Sequence, residues 1–485
     1  MSPAPPGPEP AELTKRRRNA FRVLLALVVA AGLAADRLPR SEGGAAVSQL
    51  AAGMPVAAPA ESLSSTWFCA GATGSPDGAA DGTVVVANAS RRELTGTVTV
   101  VPDEGEARAI PLTVGPRARA IVRLGEIVSA PYLAAMVEMD GGDVVVDHEI
   151  RGPLGLSTAP CASSASDRWY LAEGSTARED TMLLALYNPF PEDAIVDLSF
   201  STDQGRAVPA DFTGIVVKGG RLAVVNVGDH VRRRTNVATV VAARTGRLVV
   251  DRIQLRGGAT KGLSLALAAP APGRLWYFPE GLVADGVTER YHLFNPSGTE
   301  AQVSVELALD EGAAEPFDLT IAPRERLTLV TSEEERVPRG VGHAATVRSL
   351  NGVAVVAERS VAAGPPAGRS GATDTLGIRG SAQSWVLASG AATDTVDEWV
   401  VVLNPDTAAA TVSIQGLASG QMLAVEGLQD LVVPAGRRLA VRLTDHVKRD
   451  DLAVLVRSTV PVVVERGLYR VGTPGIAISA GIPLR

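Results

Sequence analysis

An all-β fold, with four tandem immunoglobulin-like β-sandwich modules after a single N-terminal membrane segment, is predicted by three observations. A tryptophan-led landmark recurs four times, at intervals of 102, 107 and 109 residues. Stretches such as TVTVV, VSVEL and ATVSI alternate apolar and polar residues with the period of two that a half-buried strand requires. Forty-nine glycines and 32 prolines punctuate the 485 residues, which favours many short strands joined by turns over long helices.

The first element is not part of the repeat. Residues 1–22 carry five basic side chains against two acids, and Val23–Ala35 is an uninterrupted apolar run. A basic stretch followed by an apolar one is the pattern of an export signal. Thirteen residues are short for a spanning helix, although Ala20 and Phe21 extend the run if Arg22 snorkels, so residues 20–35 are expected in the membrane. Two readings stand, an uncleaved anchor, which we favour, and a cleaved signal peptide. Either places residue 36 onward outside the cytoplasm by the positive-inside rule. The expected organisation is a basic cytoplasmic tail (1–22), a signal segment (23–35), an Ala/Gly/Pro-rich linker (36–63) and modules over 64–165, 166–272, 273–381 and 382–485.

The net charge of −7 hides a basic tip on an acidic body. That distribution argues against nucleic acid as a partner. Aromatic residues are only 4% of the chain, fewer than a platform for stacking bases or sugars usually carries.

Within each copy four landmarks keep register. Trp67, Trp169, Trp276 and Trp385 open the copies in WFCAG, WYLAEG, WYFPEG and WVLASG. Asn88, Asn188, Asn295 and Asn404 then end an apolar run, a glycine or proline turn leads into a strand with arginine, and a last apolar run closes on Asp147, Asp251, Glu358 or Glu465. About seven strands per copy in a hundred residues fit a sandwich of immunoglobulin size, whereas a propeller blade is too short for this period. The two cysteines of an exported chain suggest a disulfide. Cys69 follows the first tryptophan and Cys161 precedes the second, so the bond would staple the two ends of copy one.

These motifs resemble a repeat of exported and surface proteins of actinobacteria and neighbouring phyla, a domain of unknown function. The resemblance covers residues 67–485 and is clearest in copies two and three. Copy four has Ser389 where Glu173 and Glu280 stand, and copy one lacks the glutamate. The resemblance implies an envelope location and β-sandwich modules, and it supplies no catalytic residues.

Candidate chemistry is sparse. In Asp147-His148-Glu149, neighbouring side chains of a strand point to opposite faces, so the three do not form one triplet. His230 and His446 recur in Asp-His-Val and read as loop caps. His292 and His343 lack partners at metal-ligand spacing. The acidic turns 76–82 and 394–398 lack calcium-loop spacing and read as solvated tips. Gly219-Gly220 and Gly257-Gly258 lie in turns between strands without a following helix, and so are not phosphate loops. The acid closing each copy is expected to point at a neighbouring strand or module and to pair with a turn arginine such as Arg221, Arg324 or Arg437; Glu173 and Glu280 read in the same structural way.

No catalytic, cofactor-binding or metal-ligating residue is therefore assigned, and no cofactor is expected. The expected function is a non-catalytic, structural or adhesive protein of a bacterial cell envelope, in contact with an envelope protein or a cell-wall polymer. The alternatives are a multivalent glycan-binding array or an accessory protein of an envelope enzyme, and, less favoured, a hydrolase with an unrecognised site.

Overall fold

The computed structural model describes residues 50, 53–74, 80–258, 260–418 and 420–485. The basic tail, the apolar segment, most of the linker and part of the acidic turn 76–82 lie outside the described residues. Among the described residues no helix is long and apolar enough to cross a membrane. Their elements are 34 strands and five single-turn 3-10 helices.

The first repeat supplies β1 (Ser65–Thr73), β2 (Asp81–Asn88), β3 (Leu94–Pro102), β4 (Arg108–Val114), β5 (Ala118–Arg123), β6 (Tyr132–Met139), β7 (Val144–Gly152) and β8 (Gly155–Pro160). They form two antiparallel sheets in the orders β1-β6-β3-β4 and β5-β2-β7-β8. The second and third repeats give the same pair of orders, with one extra short strand, Gly205–Ala207, beside the end of Ala194–Thr202 in the second. In the fourth, the 18-residue strand Ala453–Arg470 serves both sheets. Its first half pairs with Ala382–Leu387 and Ala410–Ala418, and its second with Val396–Leu403 and Ile476–Ala480.

Strand order separates this arrangement from an immunoglobulin domain, where the first two strands are neighbours. Here β1 lies beside β6, while β2 lies between β5 and β7. The chain changes sheet between β1 and β2, which periodicity alone does not reveal.

Alternation explains the cores. Val98 and Val100 of β3 and Val84 and Val86 of β2 face one another's sheets with no exposed surface, and Trp67 closes the end of the same cluster. Trp169, Trp276 and Trp385 are buried equivalently, and each indole N–H donates to a carbonyl: Leu248 at 2.8 Å, Val355 at 3.0 Å and Val462 at 2.9 Å. Such a donor lets a large apolar ring be buried without an unmet polar cost.

The repeated asparagines tie strand to turn. Asn295 Nδ2 donates to the carbonyls of Thr299, Ile321 and Ala322 at 2.7–3.1 Å, and its Oδ1 accepts from Ser297 N at 3.0 Å. Asn88, Asn188 and Asn404 make equivalent bonds. One amide thus satisfies several buried backbone groups, which neither aspartate nor leucine could do. The disulfide joins Cys69 and Cys161 across 4.7 Å between Cα atoms, linking β1 to the residue after β8.

The last strand of each repeat lies toward a common centre. β8 packs on Gly262–Leu267, that strand on Gly371–Leu376, that one on Ile476–Ala480, and Ile476–Ala480 back on β8. Their sequences, GLSTAP, GLSLAL, GATDTL and IAISA, are small-residue strands that allow close approach. A Cβ at Gly262 would stand 2.6 Å from the Cβ of Ala372. Hydroxyls stitch three of these contacts: Leu265 N donates to Ser157 Oγ, Asp374 N to Ser264 Oγ, and Thr375 Oγ1 to the Ile478 carbonyl. The four segments therefore close on themselves, with the last against the first.

The end of the expected linker is built into this body. Met54, Val56 and Ala57 are buried, Ala57 N donates to the Pro483 carbonyl at 3.0 Å, and Asp143 N donates to the Ala58 carbonyl at 2.9 Å.

Candidate functional site

The acid that closes each repeat reaches into the preceding segment of the circuit. Asp251 Oδ2 accepts from Ala70 N at 2.9 Å and Gly71 N at 2.7 Å. Glu358 accepts from Ala172 N at 3.1 Å, and Glu465 from Glu280 N at 2.8 Å. Asp147, of the first segment, accepts from Ala388 N and Ser389 N of the fourth at 3.1 and 3.0 Å. The donors are free for a local reason. The ladder of β1 breaks between Cys69 and Ala72, and the equivalent strands of the later segments end at or just before these residues. Buried N–H groups off the ladder must find another acceptor.

The residue after each acid completes the circuit. His148 Nε2 lies 3.6 Å from Asp251, Arg252 Nη1 2.7 Å from Glu358, Arg359 Nη2 2.9 Å from Glu465, and Arg466 Nη2 3.5 Å from Asp147. All eight groups are essentially buried. The arginine partners are thus the residues adjacent to the acids. The turn arginines expected in that role lie elsewhere: Arg221 donates to the Gly105 carbonyl and Arg437 to the Leu309 carbonyl.

Burial sets the protonation of the first pair. It pushes the Asp251 carboxyl up to about 7, against the two N–H bonds that favour its charge, and pulls His148 down to about 3. At Arg252 burial works to lower the guanidinium, and the carboxylates of Glu358, Asp374 and Glu173 outweigh it, so the arginine stays charged. Arg359 is held charged in the same way, burial being outweighed chiefly by Glu465.

A second set of charges lies beside this circuit. Glu173 stands 3.0 Å from His292 Nδ1 and 3.0 Å from Arg256 Nη2. Burial acts to raise its carboxyl, and His292, Arg256 and Arg252 prevail and hold it ionised. Glu280 accepts from Arg438 at 3.2 Å and from the Tyr469 hydroxyl at 3.0 Å. Both glutamates act between segments. His343 is bound by Glu289 at 2.7 Å. His230 and His446 each follow a 3-10 turn, with Asp211 Oδ2 at 3.2 Å from the first and the Glu426 carbonyl at 3.2 Å from the second.

Asp147, His148 and Glu149 face different partners, Glu149 being bound by Arg151 at 2.8 Å. Among the described residues, Cys69, His148 and Cys161 cluster within metal-binding reach, and the two sulfurs are joined to each other. A disulfide offers no thiolate to a cation. Apart from the His148 ring, whose nitrogens make no hydrogen bond among the described residues, the groups brought together here each have a partner, which makes the circuit a device for fixing which segment meets which. A cleft of about 700 Å³ does open between the first and fourth segments, with Arg119 and Ser389 in its walls. The sequence marked Ser389 only as a departure from the repeat and did not single out Arg119.

Among solved structures, this chain is similar to a protein designated Thermotoga maritima 1070, at 19% identity over 22% of this chain and 93% of that one, with a TM-score of 0.20. The Anabaena sensory rhodopsin transducer matches at 17% identity over 18% of this chain and 88% of that one, TM-score 0.17. A GH2 beta-galacturonidase from Eisenbergiella tayi aligns at 11% identity over 64% of this chain and 44% of that one, TM-score 0.15. No curated protein matches the chain. Residues 149–325, from the end of the first repeat into the third, match a family described as a family of unknown function (DUF5719).

Proposed function

We propose that this protein is a membrane-anchored, extracytoplasmic structural or adhesive component of a bacterial cell envelope. It acts without catalysis, through contacts of four β-sandwich modules with an envelope protein or a cell-wall polymer. The modules are immunoglobulin-like in size and in their two-layer packing, with the strand order described above. The observation that carries this reading is the closed circuit of buried links through Asp147, Asp251, Glu358 and Glu465, which spends one buried acid of each repeat on holding a neighbour. An assembly fixed in this way suits a rigid platform. The export signal supports the location, and the small aromatic content weighs against the glycan-array alternative.

Location and partners are tested together in cells of the native organism. Membrane fractionation with external protease should find the chain membrane-bound and cleaved from outside. Crosslinkers placed on exposed turns of each segment should capture envelope protein or wall polymer. Recovery in the cytosolic fraction, protected from protease, would overturn the proposal.

A further inference from the structure

We propose that the cleft between the first and fourth segments binds a carboxylate-bearing ligand, whose carboxylate takes the place that Glu280 fills in the equivalent interface of the third and fourth. This goes beyond the envelope reading and does not depend on it. The two positions that meet at each interface are the fourth residue after the repeat tryptophan and the edge-strand residue paired with the position before the repeat asparagine. Register identifies the latter as Leu222, Arg326, Arg438 and Arg119.

Three interfaces balance. Between the third and fourth segments Glu280 meets Arg438 at 3.2 Å. Between the second and third, Glu173 and Arg326 both contact His292 Nδ1, at 3.0 and 3.3 Å. Between the first and second, the two positions hold Gly71 and Leu222, so acid and base are both gone. Between the fourth and first, the arginine remains as Arg119 while the acid is Ser389.

Arg119 is anchored there. Its Nη1 donates to the carbonyls of Ala388, Gly390 and Leu452 at 3.3, 2.9 and 3.2 Å, and its Nη2 to that of Asp450. Its Nε is buried without a hydrogen-bond partner among the described residues, as is Ser389 Oγ. Both residues line the cleft, as do Thr393 and Thr395. The acids nearby leave Arg119 without a bonded carboxylate. Glu149 is bound by Arg151 at 2.8 Å, and Glu126 lies 4.0 Å from Arg123. Asp81 and Asp450 also line the cleft, and Asp450 meets Arg119 through its backbone carbonyl. Glu398 is buried behind Gly390, with both carboxylate oxygens lacking hydrogen bonds among the described residues, and burial pushes it to about 7. It occupies the position of Glu289, whose histidine partner, His343, is replaced here by Leu452. A guanidinium N–H and a serine hydroxyl that both lack partners among the described residues, on two residues that line one cleft, are complementary to a carboxylate, the strongest class of acceptor for them.

The test uses the full chain in detergent and N-acetylglycine as probe, with N-acetylglycinamide as the uncharged control, read by saturation-transfer NMR. The acid should receive saturation and the amide little. Ser389→Glu supplies the carboxylate from the chain itself, as Glu280 does, and should weaken probe binding about tenfold or more, the scale of one charged hydrogen bond, with an unchanged circular dichroism spectrum. Arg119→Leu, which restores the neutral pattern of Leu222, should do the same. Equal signals from acid and amide, or full probe binding by a folded Ser389→Glu variant, would overturn the proposal.

Discussion

At the residue scale, the acids of the circuit are held by geometry that tolerates their neutralisation unequally. Truncating Glu358 takes from buried Arg252 its nearest carboxylate at 2.7 Å and leaves Asp374 at 3.8 Å, and a buried charge that loses its partner costs more than the pair contributes. Glu358→Ala should destabilise the fold by about 3–5 kcal/mol, and adding Arg252→Met should recover much of that loss in urea denaturation. Asp251 behaves differently, because burial holds its carboxyl at about 7 while an unfolded aspartate titrates near about 4. Between those values the folded chain binds the extra proton, so this group's contribution to stability falls as pH rises from 4 to 7, by on the order of 4 kcal/mol. Asp251→Asn keeps an acceptor for Ala70 N and Gly71 N and removes the titration. Its stability relative to wild type should therefore rise between pH 4.5 and 7.5, and a pH-independent difference would refute the assignment. His148, with its folded value near 3, gives the opposite slope below pH 6.5, but it is present in both proteins and leaves the comparison intact.

At the scale of elements, each landmark read from the sequence marks a place where backbone groups leave a ladder. Asn295 lies at the end of its strand, where its two amide N–H donors are shared among three carbonyls and its Oδ1 accepts from the turn beyond. Asn295→Ala strands those carbonyls and should cost about 2–3 kcal/mol by thermal denaturation, whereas the exposed Asn351 should be near neutral. Strands, tryptophans and asparagines were legible because period two and fixed spacing are local properties. The sheet order was not, since β1 pairs with β6 across residues 74–131, and nothing local says which edge a strand joins. The circuit was half legible. An acid in an apolar strand implies a partner, and the arginine beside it was visible. That this arginine serves the next segment's acid required the close packing of the four small-residue strands, a pattern that reads locally as ordinary buried strand. The cleft was legible only as the replacement of glutamate by Ser389.

For the whole molecule, the fourth interface has no direct chain connection and yet repeats the links of the other three. Covalent order therefore adds little to the closed form. A circular permutant opened in the exposed turn between Glu311 and Gly312, with Arg485 joined to Gly53 by a short linker, should fold as a monomer. Its melting temperature should fall by only a few degrees, because loop-closure entropy changes slowly with length. Size-exclusion chromatography showing a dimer, or a loss of cooperative melting, would contradict this. Ala57 and Pro483 share a backbone hydrogen bond, so the chain meets the folded body where its first and last segments meet. A tug arriving along the N-terminal segment is thus delivered at a seam, into both flanks at once.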